Sequence, residues 1–266
     1  MDPAILLPLT VLAAMMLVMT SSWLTQLALG NAGWTDVFWS FGTGAALSVA
    51  AFAPSGCVLW RQVMVAAMIA IWSARLGSHI ARRVLAGPED ARYAISRRDW
   101  GPRFQRNMLG LSLIQAPATA LLSISVVEAA MAPGSAFRTA DAVGLAIFGL
   151  SIAGETLADH QLRRFRADPT NRGRICDVGL WAWSRHPNYV FEAALWWAWP
   201  AMTLDPASPW TWTSLAAPLT MFVLLRYVSG VPPLESVMSS SRGEAWRTYA
   251  RRVSPFFFRP PRDLTA

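Results

Sequence analysis

Residues 108–132 of the chain read MLGLSLIQAPATALLSISVVEAAMA, and this stretch decides the class of fold. Its one ionisable residue, Glu128, stands near its end. A helix needs about 20 mostly apolar residues to cross the hydrocarbon core of a bilayer, and this stretch is long enough. Lipid offers the backbone no hydrogen-bonding partner, so we expect a transmembrane helix here.

Similar apolar segments recur along the whole sequence. The chain is 54% hydrophobic and 15% charged, whereas a soluble domain carries about a quarter charged residues. This composition excludes a disordered chain, a soluble cytosolic enzyme and a disulfide scaffold. We predict an all-α, polytopic membrane protein, with seven transmembrane helices in a single domain over residues 1–266. The predicted spans are 4–29, 37–53, 58–76, 108–132, 140–157, 189–204 and 210–228.

The basic residues predict the topology. The loops after the third, fifth and seventh spans carry most of the 23 basic residues, all of them arginine. Under the positive-inside rule these loops are cytoplasmic, which places the N-terminus outside and the C-terminus inside. The first span follows no basic region, so it is predicted to be a span and not a cleaved signal peptide. We expect a multi-pass protein of the cell inner membrane.

The arginine-only composition leaves two interpretations open. Guanidinium groups suit phosphates and anionic head groups, but a GC-rich genome would give the same composition with no functional cause. The two cysteines and three histidines cannot supply a zinc site, and no metal is expected.

Ionisable residues inside spans are costly and usually functional. Glu155, Asp159, Arg163 and Arg166 recur at helical spacing and share one stripe of the fifth helix. This stripe predicts one of two arrangements. The first is a ligand site, with the carboxylates deep in the membrane and the guanidinium groups near its surface. The second is an intrahelical ladder of ion pairs.

A second polar cluster is GLWAWSRHPNY at residues 179–189, with Glu192 beyond it. Pro187 suits the first turn of a helix, so the sixth helix is predicted to start there. Asn188 and Glu192, four residues apart, then lie on one face, and His186 is expected to contact a ligand.

Asp36, at the start of the second helix, allows two interpretations. An acid before an apolar run commonly caps a helix, but a buried acid facing a cavity fits the sequence equally well.

The residues quoted so far resemble the C-terminal signature of the steroid 5-alpha-reductase superfamily, most closely its bacterial, largely uncharacterised branch. The core of the resemblance is SRHPNY at 184–189 with Glu192 and a preceding GLW. Supporting motifs are RLGxH at 75–79, EDxRY at 89–93 and SGVPxLE at 229–235, together with the stripe of the fifth helix. The resemblance covers nearly the whole chain.

Membership would imply a seven-helix membrane reductase that holds NADPH and reduces a conjugated carbon–carbon double bond of a lipid. The vertebrate steroid reductases carry an early Gln-Glu pair where this chain has Trp34, Thr35 and Asp36, so a steroid substrate is not implied. By the resemblance, Asn188 would contact the nicotinamide end. The expected nucleotide-binding residues are Glu155, Asp159, Arg163, Arg166, Arg174, Trp181, Arg185, His186, Asn188, Tyr189, Glu235 and Tyr249.

Reduction of an enone leaves negative charge on the carbonyl oxygen, which a neutral acid or phenol must stabilise. Asp36, kept protonated by burial, is the expected donor, with Tyr93 as its partner and Glu192 as a further candidate. The expected partners are a lipid or steroid-like substrate and membrane lipids, with no nucleic acid and no obligate protein partner.

Two other functions compete with this one. Membrane isoprenylcysteine and phospholipid methyltransferases also carry an Arg-His-Pro-x-Tyr stretch with a downstream Glu, but S-adenosylmethionine has no phosphates to occupy Arg163, Arg166 and Arg174. A transporter or lipid-binding scaffold would predict paired, repeated spans with helix-breaking residues, and the sequence contains no such repeat.

Overall fold

The computed structural model describes residues 3–263, with side chains from residue 6 onward. Within that range every regular element is a helix and no strand is present, so the all-α prediction is confirmed. The helices are α1 Pro3–Leu29, α2 Trp34–Phe52, α3 Leu59–Ala86, α4 Ala91–Trp100, α5 Phe104–Leu113, α6 Gln115–Met131, α7 Thr139–Ala167, α8 Pro187–Leu195, α9 Ala198–Thr203, α10 Ala216–Val223 and α11 Val231–Arg252.

Five helical stretches in the described chain are long and apolar enough to cross a membrane. They are Leu6–Leu29, Leu59–Ala86, Ala91–Met131, Thr139–Ala167 and Pro209–Arg252. Long apolar helices of this kind indicate a membrane protein. A total of seven crossings would need α2 and the α8–α9 segment in addition.

The sixth predicted span, 189–204, is not one continuous helix. It divides into α8 and α9 at a turn formed by Trp196 and Trp197. Pro200 has no N–H group to donate to the carbonyl four residues earlier, which weakens the helix at this point. The Trp197 N–H bonds instead to the Ala194 carbonyl, three residues back, at 3.1 Å.

The seventh predicted span, 210–228, also differs from a plain helix. It opens as a 3₁₀ helix over Pro209–Leu215, continues as α10 and ends in a π-helical turn over Leu224–Val228. Gly230 then reverses the chain so closely that a Cβ there would lie 2.4 Å from the Leu225 carbonyl oxygen. Only glycine fits this approach, and α11 starts directly after it.

The chain forms two compact units, and the prediction of a single domain stays a prediction. The first unit contains the described residues up to Ala142 together with Trp199–Thr220. The second contains Val143–Ala198 and the residues from Met221 onward.

In the first unit, α2 packs against α1, α3 and α6, and α1 also packs against α5 and α6. The contact between α2 and α3 is close at Gly44, where a Cβ would lie 2.2 Å from the Cβ of Ser73. Small residues of this kind let membrane helices approach each other closely. Met15, Leu47 and Trp72 are completely buried in this unit.

A fully buried ion pair lies at the start of α3. The Arg61 guanidinium contacts the Asp141 carboxylate at 3.2 Å, and both side chains have no exposed surface. Arg61 also donates to the carbonyls of Gly134 and Ala136, in the loop between α6 and α7. Arg138 binds the same carboxylate at 2.8 Å. This cluster fixes the α6–α7 loop onto the beginning of α3.

The second unit is built around two small apolar clusters. One contains Ala193, Val231 and Phe256. The other contains Trp246 and Tyr249 of α11 with Val253. The first cluster packs Phe256 against α8 and the start of α11, and the second packs the end of α11 against Ile175.

Candidate functional site

The first polar group, in the first unit, is centred on Asp36. Its carboxylate accepts a hydrogen bond from the Tyr93 hydroxyl at 2.7 Å and pairs with the Arg92 guanidinium at 2.9 Å. Asp36 lies in the first turn of α2, whose N-cap is Gly33, with no side chain capping the helix. The capping interpretation is therefore wrong, and Asp36 instead joins α2 to α4.

The expectation that Asp36 is a protonated donor stays a prediction. In the structure the Tyr93 hydroxyl donates to one oxygen of Asp36, and the Arg92 guanidinium faces the other. The donor of this group is Tyr93, which is 6% exposed.

Two further acids hold α4 in place. Asp90 caps the helix by accepting from the Arg92 N–H, and its carboxylate binds the Arg92 side chain at 3.1 Å. Glu89 accepts from the Ala32 N–H at 2.8 Å and from Arg97 at 2.7 Å. Burial alone would raise the pKa of each acid, but these arginine and backbone contacts outweigh it and lower both pKa values. Both acids are therefore ionised near neutral pH.

In the second unit, the predicted stripe lies on one continuous helix, α7. Glu155 and Asp159 are buried, whereas Arg163 and Arg166 are exposed. Along α7 the two carboxylates are therefore enclosed by the protein, whereas the two guanidinium groups are exposed, and the depth of each in a membrane stays a prediction.

The second polar group, also in the second unit, is centred on Glu235 of α11. Its carboxylate binds the Arg185 guanidinium at 2.8 Å and the Nε2 atom of His186 at 3.2 Å. Burial lowers the pKa of His186, although the neighbouring carboxylate acts in the opposite direction. The imidazole is thus neutral at pH 7 and stacks on the Tyr189 ring, with 5.6 Å between centroids.

The segment before α8 is fixed by further hydrogen bonds. The Ser184 hydroxyl donates to the Phe256 carbonyl and accepts from the His186 N–H. The Trp181 indole donates to the Ala158 carbonyl of α7 at 3.0 Å. The Trp181 carbonyl in turn accepts from the Tyr249 hydroxyl at 2.7 Å.

The other predicted residues of this unit are placed as follows. Asn188, in the first turn of α8, is half-buried, and its carboxamide has no hydrogen-bond partner among the described residues. Glu192 is buried and accepts from the Trp196 indole at 3.2 Å. Arg174 is exposed, and its guanidinium donates to the Asn171 side chain at 3.5 Å. Pro187 is the first residue of α8, as predicted.

A comparison with known protein families gives one match. The family described as "Protein of unknown function (DUF1295)" matches residues 22–253. The chain belongs to this family. No curated protein and no solved structure matches the chain.

The part of the chain shared with the DUF1295 family contains both polar groups. The first joins Asp36 to Tyr93, and the second joins Arg185 and His186 to Glu235. In the described chain no group of histidine, cysteine, aspartate or glutamate side chains could hold a metal ion.

Arg92 and Ser184 were quoted in motifs, but sequence reasoning gave them no role. The structure shows that Arg92 bridges Asp36 and Asp90, and that Ser184 connects His186 to Phe256. The Asp-x-Arg spacing at 90–92, directly before a helix, is the signal that could have identified Arg92. No local signal marks the partner of Ser184, which lies 72 residues later.

Proposed function

We propose that the chain is a membrane reductase of the steroid 5-alpha-reductase superfamily that uses NADPH to reduce a conjugated carbon–carbon double bond of a lipid. The observation that carries this proposal is the second polar group. Glu235 is 49 residues from His186, and Tyr249 is 68 residues from Trp181, yet both pairs are in hydrogen-bonding contact. All four residues are among those that the resemblance implies for nucleotide binding.

The chemistry of these residues suits a nucleotide. The phosphates of NADPH need cations, and Arg163 and Arg174 are exposed and form no salt bridge with a described carboxylate. The Asn188 carboxamide has donors and an acceptor to offer to the nicotinamide carboxamide. The neutral His186 ring adds no positive charge where a cationic nicotinamide would form.

NADPH would supply the hydride, which adds to the β carbon of the enone while a proton is added at the α carbon. The residues of this chain must then stabilise charge on the carbonyl oxygen. We assign that donation to the Tyr93 hydroxyl, which donates its single proton to Asp36 in the structure and would redirect it to the carbonyl oxygen when the substrate binds. A hydrogen bond to that oxygen stabilises the charge that develops there in the transition state.

We further infer seven crossings of the inner membrane, with the N-terminus outside and the C-terminus cytoplasmic. The support is the concentration of arginine in alternate loops. α2 contains 19 residues and is about 28 Å long at 1.5 Å per residue, close to the hydrocarbon thickness of a bilayer.

The melting temperature of the detergent-purified chain tests the nucleotide site. A ligand that binds only the folded state stabilises it by about 2.7 kcal/mol at one hundred times its Kd, so saturating NADPH is expected to raise the melting temperature. The melting temperature is also measured with NADH and with S-adenosylmethionine. Stabilisation by S-adenosylmethionine alone would favour the methyltransferase, and no response to either nicotinamide nucleotide would reject the reductase.

The variant Arg166→Ala tests whether Arg166 binds the 2′-phosphate of NADPH. We expect this variant to weaken NADPH by about tenfold or more, as for a lost charge-assisted hydrogen bond, with little effect on NADH. Arg164→Ala is the matched control, because Arg164 is also exposed on α7 but lies off the stripe. Equal losses for both nucleotides would place the 2′-phosphate elsewhere.

A further inference from the structure

The residues after α11 form a folded segment that the proposed nucleotide site does not use. We call residues 253–263 the C-terminal strap. Besides the Val253 N–H, which donates to the Tyr249 carbonyl of α11, two of its carbonyls accept hydrogen bonds and two of its N–H groups donate them, so its path is fixed. The bonds are Arg185 N–H to Ser254 at 2.8 Å, Ser184 hydroxyl to Phe256 at 2.5 Å, Arg259 N–H to Trp183 at 3.1 Å and Arg262 N–H to Arg252 at 2.9 Å.

A cavity of about 150 Å³ lies between the strap and the end of α11. By this measure a water molecule needs only about 10–15 Å³, so the cavity accommodates a much larger group. Its wall contains four arginines and no carboxylate: Arg251, Arg252, Arg259 and Arg262.

Most of this positive charge is not neutralised within the protein. Arg251 pairs with Glu244 at 3.1 Å. Arg252, Arg259 and Arg262 form no salt bridge with any carboxylate that the structure describes. The helix dipole favours cations in the last turn of α11, which accounts for Arg251 and Arg252. It does not account for Arg259 and Arg262, which the strap brings to the same cavity.

The strap also presents aromatic rings beside helices of apolar character. Phe257 is 54% exposed and stacks on Phe222 of α10, with 5.9 Å between centroids. Phe258 packs at 5.4 Å on Phe191 of α8. Exposed aromatic rings next to arginines are typical of the membrane–water interface, where the head groups lie.

We propose that the cavity binds a phosphate group, and that this phosphate is the head group of an anionic membrane phospholipid. Three guanidinium groups without carboxylate partners supply the charge-assisted hydrogen bonds that phosphate oxygens accept. The exposed Phe257 ring of the same strap would supply an apolar surface for the glycerol and acyl part. This site is separate from the proposed nucleotide site and does not depend on the reductase function.

Native mass spectrometry of the detergent-purified full chain tests the proposal, with phosphatidylglycerol and phosphatidylcholine as probes. Phosphatidylcholine carries the same phosphate beneath a quaternary ammonium that the arginines repel. We expect the wild type to retain phosphatidylglycerol at least about tenfold more strongly than phosphatidylcholine. Equal retention of the two lipids would overturn the proposal.

The double variant Arg259→Gln/Arg262→Gln is expected to lose that preference by about tenfold. The strap bonds use only backbone atoms of these residues, so the fold is retained, and the single variant Arg262→Gln gives a milder second test. Arg103→Gln/Arg106→Gln removes equal charge from exposed arginines outside the cavity and is expected to behave as wild type. Equal losses in both double variants would mean that only net charge matters, which rejects the site.

Two further arms identify the source of the phosphate and separate this site from the nucleotide site. Millimolar inorganic phosphate is expected to leave phosphatidylglycerol bound; binding of inorganic phosphate without any lipid would overturn the lipid assignment. The NADPH-induced rise in melting temperature is expected to be unchanged in the cavity variant. If the cavity variant loses the NADPH-induced rise in melting temperature but still binds lipid, the four arginines belong to the nucleotide site.

Discussion

At the scale of single residues, His186 makes the stability of the second unit sensitive to pH. Burial holds the pKa of His186 below its ordinary value; Glu235 acts against this shift, whereas Arg185 and Arg226 add to it. The unfolded chain therefore binds a proton below about pH 6.5 that the folded chain does not bind. Because the unfolded state binds more protons, stability must fall as pH falls through that value.

We expect the melting temperature to decrease between pH 7.5 and roughly pH 5.5, with a free-energy slope of at most about 1.4 kcal/mol per pH unit. The variant His186→Gln is expected to flatten this dependence. His160→Gln, which changes an exposed histidine of α7, serves as control and is expected to leave the slope unchanged. The same slope in wild type and His186→Gln would contradict the prediction.

Tyr93 provides a second prediction at this scale. Tyr93→Phe removes the hydroxyl that Asp36 orients but keeps the buried ring. Loss of one donor to a developing oxyanion costs about a hundredfold or more in turnover. We expect that loss in the rate of NADPH oxidation with a panel of lipid enones, while the NADPH-induced rise in melting temperature stays unchanged.

Tyr227→Phe is the matched control, since Tyr227 is 61% exposed. If Tyr93→Phe turns over at the wild-type rate, the donor is not Tyr93, and Glu192 becomes the next candidate.

Sequence reasoning identified these residues better than it identified their contacts. Asp36, His186 and Glu192 stand out because they are ionisable residues in or beside apolar segments. The contact between His186 and Glu235 joins residues 49 positions apart, and no local periodicity encodes such a pairing. Glu235 and Tyr249 could be named only through the resemblance to a family.

At the scale of helices, the contact of α2 with α3 depends on Gly44. A Cβ at this position would lie 2.0 Å from the Ser73 hydroxyl and 2.2 Å from the Ser73 Cβ. The Cβ of Ser73 cannot move without its backbone, so Gly44→Ala must push the two helices apart. Overpacking of this kind costs about 1–3 kcal/mol, and we expect a lower melting temperature.

Gly110→Ala is the control for helix propensity. Gly110 lies in α5, and a Cβ there would meet no atom within 4 Å. Replacing a helical glycine by alanine without a clash stabilises the helix by about 1 kcal/mol. The two variants should therefore shift the melting temperature in opposite directions, and a shift of Gly44→Ala upward would contradict the close packing.

The helices themselves were predictable, but their interruptions were not. Apolar length predicts α1, α3 and α7 because lipid imposes the same requirement on every crossing. Each of the two breaks, at Ile114 and at Trp196, lies three or four residues before a proline that cannot donate to the helix, Pro117 and Pro200, and hydropathy does not register this effect. Pro200 was the one visible signal for the second break.

At the scale of the whole molecule, the proposed seven crossings make a definite prediction for reporter fusions. Fusions after Gly87, after Gly173 and after Ala266 should report the cytoplasm, whereas fusions after Gly56, Gly134 and Ala207 should report the outside. The prediction follows from the alternation of arginine-rich and arginine-poor loops. The measurement is paired alkaline phosphatase and green fluorescent protein activity at each site.

Each extra crossing has its own diagnostic fusion. If a fusion after Gly30, between α1 and α2, reports the same side as the fusion after Gly56, α2 does not cross the membrane. If Ala207 reports the same side as Gly173, the α8–α9 segment does not cross. A C-terminal fusion active only outside would reverse the proposed orientation.

The buried pair of Arg61 and Asp141 has a consequence for the order in which the protein is made. The partners of Arg61 follow it by 73, 75 and 80 residues. At a synthesis rate of 5–20 residues per second, Arg61 emerges from the ribosome about 4–16 s before Asp141 does. During that interval its charge has no protein partner and must remain at the hydrated boundary of the bilayer. α3 can therefore reach its final depth only after α7 has begun to emerge, so the third helix to be synthesised is among the last to settle.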